Sequence, residues 1–530
     1  MNSLVILFAA LIIFFWGYNF FARKLERLWQ VDPKKSTPAY AKYDSVDYIP
    51  AKNWLVLFGH HFSSISGAGP IIGPVMAVML WGWLPALLWV IFGAVFIGGV
   101  HDFGSLIVSV KEGGGSVADI ASHAISRRAK IIFSLFVWLA LILVIAVFAY
   151  LCAETFVKEP KIVLPSLGLI PVSMLVGYLL YQARVNTLLA TLLGLAGLGV
   201  LLFLGNLVPV HAGLFFWLAV LFAYAYFASI LPVNVLLQPR DYLSSFLLFL
   251  GVGAGFLGIF LTNPRISLPA FTEWKAGGQE LWPMLFVTVA CGAVSGFHAL
   301  ISSGTSSKQL ANQKLARRIG YGAMIAEGVV AVLAIIVTAV LFTPQDDLGA
   351  KLKSLTPIRI YAQGYALVTD KFLHGHGAFI AITILNAFIL TTLDTATRIS
   401  RYLSEELFLL KNRFFSTALV VACGAALAFS GKWMKIWPAF GASNQLVAAL
   451  TLFVLSCWLI SKKRSAKFTL WAACFMLLTS IAALLLQSRN YFMSRDWVLL
   501  ATAVLMLAAA GVMCYEAVKV IFPGKRSLAR

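Results

Sequence analysis

Apolar runs of about twenty residues recur along almost the whole chain, and this recurrence restricts the fold more than any other feature. An α-helix rises about 1.5 Å per residue, so about 20 residues cross a hydrocarbon core about 30 Å thick. Lipid offers no partner to a backbone N–H or C=O, so each run must close its own hydrogen bonds as a helix. Runs of this kind lie at 3–22, 53–81, 84–110, 130–152, 164–181, 187–207, 212–238, 242–262, 282–303, 319–343, 376–397, 414–430, 436–460, 467–487 and 496–521, fifteen in all. Composition agrees: 12% of the 530 residues are charged and mean hydropathy is +0.88, against about 25% charged residues in soluble domains. A soluble multidomain enzyme, a secreted disulfide scaffold and a disordered chain are excluded.

The formal net charge of +20, from 41 Lys+Arg and 21 Asp+Glu, would suggest nucleic acid in a soluble chain. In a membrane chain it is first a topological signal. With the segment after the first run on the cytoplasmic side, alternate loops collect 29 of the 41 basic residues. Seven fall in 23–52 and four each in 111–130, 308–318, 398–413, 462–467 and 519–530, with Arg184 and Arg240 adding one apiece. The reading is a multi-pass membrane protein, N-terminus outside and C-terminus cytoplasmic, with no nucleic-acid partner. Arg23 and Lys24 flank the first run on the far side, as in a retained helix rather than a cleaved leader.

Only 23–52 and 344–375 are long hydrophilic connections; the second, external, carries Asp346, Asp347, Lys351, Lys353 and Arg359. Neither is long enough for a catalytic domain, so no enzyme is expected and function must lie inside the bundle. The six cysteines form no CxxC and read as helix packing. No metal or cofactor is expected. Ser295 and His298, i and i+3, loosely suggest an intramembrane hydrolase, but fifteen spans are excessive for one.

Three runs depart from plain Leu/Val/Ile/Ala/Phe. The second places Gly59, His60, His61, Ser63, Ser64, Ser66, Gly67, Gly69, Pro70 and Pro74 where the bilayer centre should be. Pro removes a donor and Gly weakens a helix, so a discontinuity is expected. A kink at a tight crossing is the plainer account, but a kink needs neither two histidines nor three hydroxyls. The seventh run carries Pro232, Asn234, Gln238 and Pro239 and predicts a second break. The ninth carries Ser295, His298, Ser302, Ser303 and Thr305, hydroxyls that either bond their own helix carbonyls or line a ligand face. Breaks five spans apart have opposite orientations, the pattern of an inverted repeat. The expected fold is therefore all-α and polytopic, with about fifteen transmembrane helices in a LeuT/APC-like 5+5 inverted repeat with discontinuous helices. Residues 1–52 form a peripheral first helix and loop, 53–207 the first repeat, 208–413 the second, and 414–530 four accessory helices.

Ionisable groups at membrane depth are costly and face the interior. Here they are His60, His61, His101, Asp102, His298, Glu327, Asp394 and Arg398. Asp394 and Arg398 share a helix face and are expected to pair locally. His101 and Asp102 project around different sides and are not expected to pair within their helix. Glu327 has no local cation and must find a partner, water or a proton.

At these residues the sequence resembles the carbon starvation protein A (CstA) family of bacterial inner-membrane transporters. The resemblance rests on GHHFSSISGAGPIIGPVMA (59–77), LPVNVLLQPRDYLSSF (231–246), CGAVSGFHALISSGTSSKQLAN (291–312), LTTLDTATRISRYLSEEL (390–407) and IWPAFGASNQLVAALTL (436–452). It implies uptake of peptides or of small carboxylates such as pyruvate during carbon limitation, by proton symport in the pyruvate carriers. The expected partners are that small-molecule substrate, a coupling proton and the lipid bilayer; oligomeric state is open. Substrate is expected between the breaks at 59–74 and 231–239, near Gly59, His60, His61, Ser63, Ser64, Ser66, Gly67, Gly69, Asn234, Gln238, Ser295 and His298. His101, Asp102, Ser302, Ser303, Thr305, Glu327 and Asp394 are the ion-coupling candidates. A sodium-coupled carrier, a channel and a nutrient-binding sensor that moves nothing are the competing readings.

Overall fold

Asn53 starts the first broken element by accepting from the backbone N–H of Leu55 and Val56 at 2.9 and 3.0 Å, satisfying donors that a helix start leaves free. The helix stops at Ser66, and a new one opens at Gly69 with Pro70 in its first turn, where proline costs no hydrogen bond. The computed structural model describes residues 2–342, 346–348, 350–351, 355–431 and 433–521. Lys353, and Lys525, Arg526 and Arg530 of the C-terminal basic cluster, lie outside these.

In chain order the helices are α1 (Ser3–Leu28), the pair α2 (Trp54–Ile65) and α3 (Gly69–Trp81), α4 (Trp83–Lys111), the short α5 (Val117–Ala124), α6 (Arg127–Lys158), α7 (Pro160–Tyr181) and α8 (Thr187–Leu207). Then come α9 (Leu214–Ile230), α10 (Leu237–Thr262), the short α11 (Leu281–Thr288) and α12 (Gly296–Gly304), α13 (Gln313–Leu341), α14 (Pro357–Leu373) and α15 (Gly377–Leu407). The chain closes with α16 (Arg413–Ala428), α17 (Trp433–Ser461), α18 (Lys467–Met493) and α19 (Trp497–Ile521). A hairpin of Lys275–Ala276 and Gln279–Glu280 precedes α11. Among the described residues, eleven helices are long and apolar enough to cross a bilayer, and the α2–α3 pair, bent by 43°, supplies a twelfth. The protein is thus a helical, multi-pass membrane protein; α9 and α16 are shorter apolar helices.

Three features differ from the sequence reading. The 231–236 stretch is not a discontinuity inside one span: it connects two separate helices, α9 and α10, so Pro232 interrupts nothing and Pro239 lies in the first turn of α10. The discontinuity lies instead at 289–295, between α11 and α12, in the ninth run. The 344–375 connection contains α14, whose Tyr361 and Tyr365 are buried against the bundle.

Contacts at the helix ends sort into two groups. At one end, Ala51 N–H donates to Gln309 O at 3.0 Å, Val233 N–H to Val46 O at 3.4 Å, and Tyr402 hydroxyl to Asp47 at 2.5 Å. At the other, Asn2 bridges Arg265 and the Thr272 hydroxyl donates to Leu80 O at 2.6 Å. The α2–α3 pair therefore starts where α12 ends, and runs antiparallel to α11–α12. The long α6 packs along α15, and α10 along α2.

Candidate functional site

The two discontinuities press against each other at the centre of the bundle. A Cβ on Gly73 would lie 2.4 Å from Thr288 O, and one on Gly69 2.5 Å from the Cys291 side chain. Only glycine permits this approach, because any side chain would overlap the facing segment. The asparagine Asn444 on α17 seals the start of α12. Its Oδ1 accepts from Phe297 N–H at 2.9 Å, and its Nδ2 donates to the Ser295 hydroxyl oxygen at 3.0 Å.

A first polar network lies between α2, α10 and α15. His60 Nδ1 is 2.7 Å from Asp241 Oδ2, the Ser63 hydroxyl donates to Asp241 O at 2.7 Å, and Ser64 donates to Asp241 Oδ2 at 3.2 Å. Arg240 reaches both Asp241, at 3.1 Å, and Asp394 on α15, at 2.6 Å. Tyr224 hydroxyl donates to Asp394 at 2.7 Å and also touches Arg240. On the other side His60 Nε2 is 3.2 Å from Gln309, which contacts Gln238, itself bonded by Tyr181. His60, Asp241 and Asp394 are fully buried, Arg240 all but so. A buried charge persists only when paired and hydrogen-bonded, and this arrangement pairs every charge it carries through Arg240.

A second network lies between α4, α12 and α13. His101 Nδ1 is 2.7 Å from Asp102 Oδ1; Asp102 Oδ2 is 2.8 Å from His298 Nδ1; His298 Nε2 is 3.1 Å from Glu327 Oε2. All four side chains are fully buried. His61 stands between the networks, its Nδ1 2.7 Å from the Ser306 hydroxyl and its Nε2 without a partner among the described residues. The chain His101–Asp102–His298–Glu327 is built only from groups that titrate, so its charge is set by bound protons.

Several expectations are corrected here. His101 and Asp102 do bond within their helix, because the imidazole folds back to its neighbour's carboxylate. Asp394 and Arg398 do not pair: Asp394 takes Arg240, while Arg398 donates to the carbonyls of Ala228 and Leu231 and lies 3.5 Å from Asp47. Asn234 sits in the α9–α10 connection, in neither of the two helix breaks. Ser303 and Thr305 bond Ala299 O and Ile301 O at 2.8 and 3.0 Å, the ordinary back-bonding of helix hydroxyls. Ser66 and Ser302, both buried, have no partner among the described residues. Ser295 bonds Asn444, while His298 bonds Asp102 and lies 3.1 Å from Glu327, so they do not form a nucleophile–base pair.

Tyr181, Tyr224, Arg240, Asp241, Gln309 and Asn444 were not singled out from sequence. The adjacent opposite charges of Arg240–Asp241 beside Pro239, and the Asn444–Gln445 pair inside an apolar run, were the available signals.

Comparison with known proteins agrees with this architecture. The chain shares a fold with the manganese transporter of Eremococcus coleocola, at 13% identity and a TM-score of 0.56, covering 91% of this chain and 99% of that one. It is 33% identical to "Peptide transporter CstA" of Bacillus subtilis (strain 168), across 86% of this chain and 85% of that protein. It is 29% identical to "Pyruvate/proton symporter BtsT" of Escherichia coli (strain K12), across 88% of this chain and 78% of that protein. The model of the family described as "Carbon starvation protein CstA" matches residues 2–351 and 345–483, and the chain belongs to that family.

Proposed function

We propose that this protein is a secondary active transporter, not an enzyme, that takes up peptides or small carboxylates such as pyruvate across the bacterial inner membrane together with protons. The observation that carries the coupling is the buried chain His101–Asp102–His298–Glu327 beside the crossing helix breaks. It contains two carboxylates and two imidazoles and no Lys or Arg, so protons alone can balance it. The names of the relatives, a peptide transporter and a pyruvate/proton symporter, supply the substrate classes.

The architecture supports alternating access. Element order recurs: a broken helix, a long helix, a short helix and a long helix make up α2/α3–α4–α5–α6 and again α11/α12–α13–α14–α15. The two broken members are antiparallel, as in inverted repeats. We read the second repeat as opening at α11 rather than at residue 208, with α7–α8 inserted in the first. Fifteen crossings follow if α9, α16 and the α11–α12 pair each span the membrane, with the N-terminus outside and the C-terminus inside. Substrate binds where the breaks meet, next to Ser66, Gly67, Gly69, Ser295, Ser302 and His61. The start of α3 offers a carboxylate backbone N–H groups and a positive helix end. Arg240, Asp394 and His60 hold α2 to α10 and α15, and so set the resting position of the break.

Uptake of labelled pyruvate and of a labelled dipeptide into proteoliposomes, under imposed proton or sodium gradients, tests this reading. Accumulation driven by an inward proton gradient and indifferent to sodium is expected. Downhill flux that no gradient can concentrate would replace the carrier by a channel.

A further inference from the structure

A cavity of about 520 Å3 opens at the end of the bundle where α12 finishes, and Ser303 and Gly304 form part of its wall. It therefore lies in line with the helix break, on the side assigned above to the cytoplasm. Its lining carries five carboxylates, and each has a cation or a hydrogen-bond donor beside it. Asp119 bonds Lys130 at 2.8 Å, and Glu406 contacts the same lysine. Asp47 accepts from Tyr402 hydroxyl at 2.5 Å and lies near Arg398. Glu112 accepts from the Trp458 indole at 2.7 Å, and Glu405 is 3.8 Å from Arg401.

The two lysines of this lining, among the described residues, make no direct contact with a carboxylate. Lys308 Nζ lies over the ring of Tyr402 at 4.9 Å and that of Tyr48 at 5.3 Å, and Lys42 Nζ over Tyr48 at 5.9 Å. Among the described residues no carboxylate oxygen lies within 4.0 Å of either ammonium, and neither donates a hydrogen bond. Aromatic faces attract a cation but leave its N–H donors unused. Burial lowers the Lys308 ammonium from its ordinary value, and the nearby Asp47, Asp119 and Asp44 do not fully restore it. Such a group gains from an anion that brings acceptor oxygens.

We propose that this cavity is a docking station for the carboxylate of the transported molecule on the internal side of the path, with Lys308 as its principal contact and Lys42 as its second. The proposal rests on the transport reading above and names a second halting point along the same route. The shared chemistry of pyruvate and of a peptide C-terminus is the carboxylate, and the tyrosine rings leave the rest of the ligand unspecified. Ordered release through a weak internal site lets a carrier shed cargo stepwise.

Inside-out membrane vesicles present substrate to this face, and right-side-out vesicles to the opposite one. For pyruvate and for dialanine, Lys308→Gln should raise the half-saturating concentration about 10-fold from the internal face, the scale of one charge-assisted contact. From the external face it should change less than about 2-fold, and Lys308→Arg should restore the internal value. An internal half-saturation equal to wild type in Lys308→Gln overturns the docking station and leaves the transport reading standing. If wild-type vesicles carry neither compound, the transport reading falls. Calorimetric titration of pyruvate onto the purified protein then decides: binding lost in Lys308→Gln sustains the site, and binding absent or indifferent to it overturns it.

Discussion

Two buried polar networks flank the first helix break, and they hold their carboxylates with different kinds of cation. Between α2, α10 and α15, Asp241 and Asp394 share the guanidinium of Arg240, a cation that no accessible pH removes. Between α4, α12 and α13, Asp102 and Glu327 have only His298 and His101 to oppose them. The first network keeps a fixed cation whatever the proton supply, and its geometry is a clamp. The second alters its charge with each proton taken or lost, which suits a site that must fill and empty once per cycle. Burial is equal in the two; in the transport cycle proposed here, the permanence of one cation would separate the clamp from the coupling site.

The most damaging change should fall on the clamp. Arg240→Met strands two buried carboxylates, a loss on the order of 3–5 kcal/mol, and should cut the yield of folded protein and lower its melting temperature sharply. Wild-type melting in that variant would erase the distinction. Next come Glu327→Gln and Asp102→Asn, which keep shape but remove a proton-binding carboxylate. Each should reduce proton-driven accumulation about 10-fold or more, equivalent to ~1.4 kcal/mol, while substrate exchange at equal pH on both sides persists. Accumulation at the wild-type level in both variants would assign coupling elsewhere. Asn444→Ala removes the cap on α12 and should destabilise the protein by about 1 kcal/mol, read as a modest fall in melting temperature with proton dependence intact. The least effect belongs to Thr305→Val, which deletes a hydroxyl bonded to its own helix and should leave uptake within about 2-fold of wild type, within ~0.5 kcal/mol.

The sequence made the bilayer runs visible because lipid demands long apolar helices and little else. The first break was equally legible, since Gly59 to Pro74 concentrates residues a lipid-facing helix avoids. For the second, proline composition points to Pro232 and Pro239, yet 289–295 breaks at Ala290–Cys291–Gly292–Ala293–Val294, with one glycine and no proline. Tertiary crossing against Gly69 and Gly73 opens that segment, and a crossing leaves no local mark in composition. The same holds for the coupling candidates. His101, Asp102, His298 and Glu327 were each recognisable as costly at that depth, but their linkage joins three helices. Arg240 follows Pro239 near a span end, so in sequence it counts as a loop charge. In the structure it is turned inward from the first turn of α10.

The contact of Gly73 with the carbonyl of Thr288 has a kinetic consequence. Backbone against backbone, with no side chain between, leaves no compressible layer at the point where the halves meet. If the broken helices rotate during transport, as the alternating-access proposal requires, rotation of one would pass to the other without slack, as in a pair of levers on a single fulcrum. A methyl group at that point would act as a brake on turnover, felt in the rate of reorientation before it is felt in the affinity for cargo.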